Sequence, residues 1–206
     1  MSTYHVSPNG HLDAAGTESD PWRSLERVSR AELQPGDSVL LQAGATFPGQ
    51  IDWSNRLTAV GDPNNPVTLG SYGNGRATIA SGPASGLLYH GPGGLTVRDL
   101  LFRGNPPAFG VSGIDCSGPP GCRNLRFERV EVCGYSKAGI NIEAGQQGDV
   151  QGVVVDHVHL HHNANGLHAA NVVGLTVRDS DGSFNDWPDP NADGDLTWGG
   201  YGFVAY

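Results

Sequence analysis

The sequence predicts a β-solenoid, and three observations carry that prediction. Apolar residues alternate in short runs with the period of a strand. The runs are separated by corners rich in Gly and Asn. The whole phrase then repeats at an interval of between twenty and thirty residues, the mark of a coil built from stacked turns. In its clearest copy, Val153 and Val155 alternate, a two-residue break follows, Val158 and Leu160 alternate, and a polar corner leads through Asn163 to Gly166-Leu167.

The other copies lie on both sides. Leu95, Val97, Leu100 and Phe102 lead to Gly104-Asn105. Leu125, Phe127, Val130 and Val132 lead to Gly134 and then to Gly139-Ile-Asn-Ile142. Leu175 and Val177 lead to Asn185 and, after a long insertion, to Gly202-Phe-Val-Ala205. With Val97, Phe127, Val155 and Val177 as equivalents, the steps are 30, 28 and 22 residues. No single turn can bury its apolar side, so neighbouring turns stack into one continuous core.

The totals bound the rest. A chain of 206 residues suits one good core and is short for two ordinary domains. Its 31 glycines are about twice the usual share of roughly 7%, lack a collagen period, and fall at corners where positive φ is needed. A net charge of −9 lacks the basic footprint that nucleic acid requires. It also suits an acidic polysaccharide only if a cation mediates. No apolar run reaches the roughly 18 residues of a membrane span, and Met1-Ser-Thr-Tyr4 is not a signal peptide. Cys116 and Cys122 bracket a compact Ser-Gly-Pro-Pro-Gly loop that a disulfide could close, pointing to an oxidising compartment; Cys133 reads as a packed thiol.

At the N-terminus a strand from Tyr4 runs into a polar loop. Ser19-Asp20-Pro21 reads as a helix start, with Trp22, Leu25 and Val28 as its apolar stripe, ending before Pro35-Gly36. Such a helix would serve as a lid on the first turn. Val39–Leu41, Phe47–Ile51, Val67–Leu69 and Ala77–Ile79 fill the first turns. The count is about six turns, a stack of about 25–30 Å at roughly 4.8 Å per strand.

Tyr4-His-Val-Ser-Pro-Asn-Gly10, then Asp20-Pro-Trp-Arg-Ser-Leu25, then Leu33-Gln-Pro-Gly-Asp-Ser-Val-Leu-Leu-Gln-Ala-Gly-Ala-Thr-Phe47 with Gly49-Gln-Ile51, resembles the opening of the pectate-lyase-like superfamily. The later repeats resemble the coils of that superfamily, so the likeness covers nearly the whole chain. It implies an all-β fold, a right-handed parallel β-helix with a short N-terminal capping helix. Residues 4–36 would form the N-terminal strand and cap, and 37–206 the coils of a single domain. It says little about activity, because the scaffold carries lyases, hydrolases, epimerases and non-catalytic proteins. The chain stops inside an apparent strand at Gly202–Tyr206, so further coils or a partner are expected beyond it.

In the resembled superfamily the strand after the Asn corner lines the substrate groove. Here that implies Gly110–Ile114, Gly139–Glu143, Gly166–Ala170 and Gly202–Tyr206. Alternation turns Ile140, Ile142, Leu167, Ala169, Phe203 and Ala205 inward. Ser112, Asn141, Glu143, His168, Val204 and Tyr206 then share an outward ledge, which Lys137 enters from a corner. A row of Glu, Asn, His and Lys suits sugar hydroxyls and proton transfer; a solvated polar face would read the same way.

Asn185–Tyr201 is a long insertion holding Asp186, Asp189, Asp193 and Asp195 between Trp187 and Trp198. Clustered carboxylates are oxygen ligands suited to Ca²⁺, and Trp faces stack on sugar rings; a solvated turn and two core-edge indoles are the plain alternatives. The run Asp156-His157-Val-His159-Leu-His161-His162 invites a metal site. Alternation with Val158 and Leu160 already explains His159 as an outward strand residue and leaves His161 and His162 in a corner. Asn105, Asn163 and Asn185 read as corner residues that adopt left-handed backbone and bond locally.

These readings converge on a secreted, extracellular carbohydrate-active protein with a polysaccharide partner. The first expectation is a lyase that eliminates across an acidic polysaccharide. Lys137 or His168 would be the base, Asn141, Trp187, Trp198 and Tyr206 would bind substrate, and Asp186, Asp189, Asp193 and Asp195 would hold Ca²⁺. A glycoside hydrolase using Glu143 and an Asp of the insertion is the variant on the same ledge. A non-catalytic carbohydrate-binding or adhesion solenoid is the alternative.

Overall fold

A computed structural model of the chain describes residues 1–54, 61–106, 109–119, 121–144, 148–186 and 200–205. After β1 (Thr3–His11) and the helix α1 (Leu25–Ser29), the chain winds through six turns of three strands each. Turn one is β2 (Ser38–Gln42), β3 (Thr46–Pro48) and β4 (Ile51–Trp53); turn two is β5 (Val67–Tyr72), β6 (Ala77–Gly82) and β7 (Leu87–Tyr89). Turn three is β8 (Gly93–Arg98), β9 (Leu100–Gly104) and β10 (Ile114–Gly118); turn four is β11 (Arg123–Glu128), β12 (Glu131–Cys133) and β13 (Ala138–Ala144). Turn five is β14 (Val150–Asp156), β15 (His159–His161) and β16 (Asn165–Ala170); turn six is β17 (Val172–Arg178), β18 (Asp181–Ser183) and β19 (Tyr201–Ala205).

The first strands of all turns, with β1 at the edge, form a seven-stranded sheet; the second and third strands form two sheets of six. Among the described residues every pairing between these strands is parallel, the arrangement of a right-handed parallel β-helix.

The register explains the core. Val39, Leu69, Val97, Phe127, Val155 and Val177 stand in one column. Phe47, Ile79, Phe102, Val132 and Leu160 form a second, and Ile51, Leu87, Ile114, Ile140, Leu167 and Phe203 a third. The three columns face one interior and are buried until the sixth turn, where Val177 and Phe203 remain 38% and 41% exposed. Among the described residues no rung packs over these two. Phe47 and Ile51 belong to two strands, divided at Gly49, whose φ is +98°.

Corners make the turns. Asp99, Arg129, His157 and Asp179 all have φ near +50° at the corner between the first and second sheets. Such backbone costs roughly 1–2 kcal/mol in a residue with a side chain. Here it is stabilised by backbone bonds between turns: Asp99 N donates to Glu128 O, and Arg129 N to Asp156 O.

At the next corner His162 and Phe184, not Asn163 and Asn185, carry the positive φ. Those two asparagines point inward as a ladder. Asn163 Nδ2 donates to Val132 O and to Asn185 Oδ1, Asn163 Oδ1 accepts from Tyr135 N, and Asn185 Nδ2 donates to Leu160 O, all at 3.0–3.2 Å.

Two local expectations change. The helix begins at Leu25 with Ser24 as its cap, its Oγ accepting from Arg27 N at 3.3 Å. Ser19-Asp20-Pro21 is instead a turn: the Asp20 carboxylate accepts from Ala15 N, and Trp22 bridges to Val6 and His11. Helix α1 rests on the edge strand β4, where Ser29 Oγ accepts from Asp52 N and Val28 O from Trp53 Nε1. The disulfide is not formed; Cys116 and Cys122 are free and buried. Burial holds the Cys116 thiol well above its ordinary value and pushes Cys122 up to about 11.

Candidate functional site

The third sheet presents the expected ledge on its outward side. Asp115, Asn141, His168 and Val204 occupy one row across β10, β13, β16 and β19, and Ser117, Glu143 and Ala170 occupy the next. Side chains in a row lie on strands about 4.8 Å apart, so they touch or bond through the row.

Asn141 is the hub. Its Nδ2 donates to Asp115 Oδ1 at 3.3 Å and lies 3.5 Å from Ser117 Oγ; its Oδ1 lies 2.8 Å from His168 Nδ1. Ser117 Oγ in turn donates to Asp115 Oδ1. An amide oxygen can only accept, so His168 carries its proton on Nδ1 and its lone pair on Nε2. Asn141 has no exposed surface. It positions the imidazole rather than presenting itself to solvent.

Lys137, Glu143 and His168 come together around an open pocket of about 410 Å³, whose wall is completed by Phe109, Asn165 and Ala170. Lys137 Nζ lies 3.8 Å from Glu143 Oε2. The Lys137 backbone is pinned from both sides: its N–H donates to Val111 O, and its carbonyl accepts from the Asn165 N–H and Nδ2. Burial, reinforced by the Lys137 charge, pulls the His168 pKa below the ordinary imidazole value, and Glu143 opposes this. The net effect favours the neutral imidazole. Ala170, opposite Glu143 in register, leaves room where a larger side chain would fill the hollow.

One strand of the ledge differs from expectation. In turn three the outward strand is Ile114–Gly118, not Gly110–Ile114, and Ser112 is buried. The residues missed are Asp115 and Ser117. The alternation of Ile114 and Cys116 could have revealed them, because both are fully buried and align with Ile140 and Ile142. In the insertion, Asp186 is exposed. Asp189, Asp193, Asp195, Trp187, Trp198 and Tyr206 lie outside the described residues.

No family model matches the chain. A stretch of 92 residues, 41% of this chain, is 39% identical to lacto-N-biosidase of Bifidobacterium longum and spans 6% of that protein. The crystal structure of GH136 lacto-N-biosidase from Eubacterium ramulus is similar with a TM-score of 0.67 at 17% identity, over 87% of this chain and 41% of that one. A pectate lyase is similar with a TM-score of 0.55 at 16% identity, over 100% of this chain and 59% of that one. This chain thus spans less than half of the lacto-N-biosidases it matches, and the structural likenesses establish its fold.

Proposed function

We propose that this chain carries the glycan-binding ledge of an extracellular carbohydrate-active enzyme, and that the reaction is hydrolysis of a glycosidic bond. The observation that carries the reading is the convergence of Lys137, Glu143 and His168 on one pocket, over a buried Asn141 that sets the imidazole. The pocket offers donors and acceptors suited to sugar hydroxyls, beside the ring of Phe109.

Charge favours an uncharged sugar. In the pocket lining Glu143 stands against Lys137, so the described walls offer no net positive charge to hold a uronate carboxylate. The stretch of identity with a lacto-N-biosidase points the same way. In this scheme Glu143, held beside Lys137, is the carboxylate that attacks the anomeric carbon or activates water there.

A second reading rests on His168. A neutral imidazole with its lone pair on Nε2, next to an ammonium group, suits abstraction of a proton from a uronate and elimination of the glycosidic oxygen. One experiment divides the readings. The protein is incubated with neutral oligosaccharides and with pectate and alginate, and both reducing ends and the ultraviolet absorbance of unsaturated uronates are followed, with and without chelator. Hydrolysis gives reducing ends from neutral glycans without absorbance. Absorbance from a polyuronate overturns the hydrolase reading, and sugar binding with neither signal reduces the ledge to a binding module.

A further inference from the structure

The outward face of the second sheet carries a different constellation. His159 and His161 are two residues apart on β15, so both side chains leave the same face, and their rings stack at 4.2 Å with 28° between planes. The corner expected at His161 begins one residue later, at His162. Glu131 on β12 stands directly opposite His159 in register. One ligand atom from each of Glu131, His159 and His161 lies within 4.8 Å of the other two.

Neighbours hold two of these groups, while His159 Nε2 lies 3.8 Å from Asp181 Oδ2. Arg76 Nη1 holds Glu131 Oε2 at 3.1 Å, leaving Oε1 facing His161 Nε2 at 3.3 Å. His162 Nδ1 lies 2.7 Å from His161 Nδ1. With the shared proton on His162 Nδ1, His161 Nε2–H donates to Glu131 Oε1; with it on His161 Nδ1, the Nε2 lone pair and the carboxylate oxygen face each other as a pair of ligand atoms. The second tautomer is the one a bound cation selects, and the Arg76 contact to Glu131 is of the kind that fixes a ligating carboxylate. Side-chain exposures of 47% for His159, 17% for His161 and 30% for Glu131 make the centre reachable from solvent.

We propose that Glu131, His159 and His161 bind one zinc-class divalent ion that ties turn four to turn five. Two imidazoles and one carboxylate match the ligands of zinc and its neighbours, whereas Ca²⁺ takes six to eight oxygens. Ligand atoms around tetrahedral zinc lie about 3.3 Å apart for bonds of about 2.0–2.1 Å, so side-chain rotations of an ångström or so complete the site. The fourth position is left to water. The site lies on a different sheet from the ledge, and its role is to clamp two coils.

The test is calorimetric titration of the untagged full chain with ZnCl₂, with CaCl₂ as control, alongside thermal melting with zinc or chelator. The expected result is one equivalent of Zn²⁺ bound at micromolar or tighter Kd, a melting temperature raised by several degrees, and no Ca²⁺ response. His159→Gln and His161→Gln should each weaken zinc binding at least about tenfold with unchanged circular dichroism, whereas Asp179→Asn, in the separate Asp156–His157–Asp179 cluster, should not. Absence of a stoichiometric zinc event, or binding untouched by both His variants, overturns the proposal.

Discussion

Asn141 Oδ1 and His168 Nδ1 lie 2.8 Å apart on adjacent strands, and this bond decides which nitrogen of the imidazole is basic. Because Asn141 is wholly buried between Asp115 and His168, its influence on any reaction passes through its neighbours. Asn141→Leu should therefore lower the cleavage rate at least about tenfold while changing sugar affinity much less. It should cost about 1–3 kcal/mol of stability, for the partners left unsatisfied. Separate kcat and KM values and a denaturant melt check both parts.

Lys137 depresses the His168 pKa and Glu143 raises it. Lys137→Met should raise the imidazole pKa and shift the acidic limb of activity to higher pH; Glu143→Gln should lower that pKa. Nuclear magnetic resonance titration of the His168 ring reads the direction in each case, independently of turnover.

The Asn163–Asn185 ladder joins turns four, five and six from inside. Asn163→Ala removes a donor and an acceptor from fully buried partners, Tyr135 N and Val132 O among them. A loss of about 2–4 kcal/mol is expected, against under about 0.5 kcal/mol for Asn105→Ala at its exposed corner. Equilibrium urea unfolding measures the contrast.

Acid should loosen the first corner. Arg129 holds the Asp99 carboxyl below its ordinary value, and Arg178 with His157 lowers that of Asp156 to about 2. A carboxyl with a depressed folded-state pKa stabilises the fold above the ordinary carboxylate range, and that stabilisation fades as pH falls through the folded value. Asp156→Asn should therefore melt lower than the parent at neutral pH, with the gap closing as pH approaches about 2. Melting temperatures across that range provide the check.

Cys116 and Cys122, with raised pKa values and no exposure, should resist a thiol reagent in the native protein and react only on unfolding. Counting reactive thiols before and after denaturant distinguishes this from a bridged pair, which would stay unreactive in both states until reduced.

Much of the coil was legible because a strand writes its two faces into alternate positions. Val97, Phe127, Val155 and Val177 were readable as one column from sequence alone, and they pair directly. The same parity exposed Asn141, Glu143 and His168. Asp115 and Ser117 were hidden because nine residues separate Gly104 from Ile114 in the third turn, and counting from the corner places its strand four residues early. The helix start was obscured by tertiary competition: Ser19-Asp20-Pro21 has the chemistry of a cap, but Trp22 stacks on Tyr4 at 4.5 Å and is drawn into the core before the helix begins. Asn163 and Asn185 were misassigned because the residue type favours left-handed backbone and inward ladders alike. Which one wins depends on the neighbouring turn.

The alignment of Phe203 with Leu167 and of Val204 with His168 survives the long segment between β18 and β19. Loop length and active-face chemistry are thus separable variables in this architecture. Corners can lengthen or shorten without disturbing the rows of the strands they connect. A single-residue deletion inside β16 would instead exchange odd for even positions, sending His168 toward the aliphatic interior and Leu167 to water. Variation in this lineage should therefore accumulate as insertions at the bends, while the strands tolerate substitutions but no change in count.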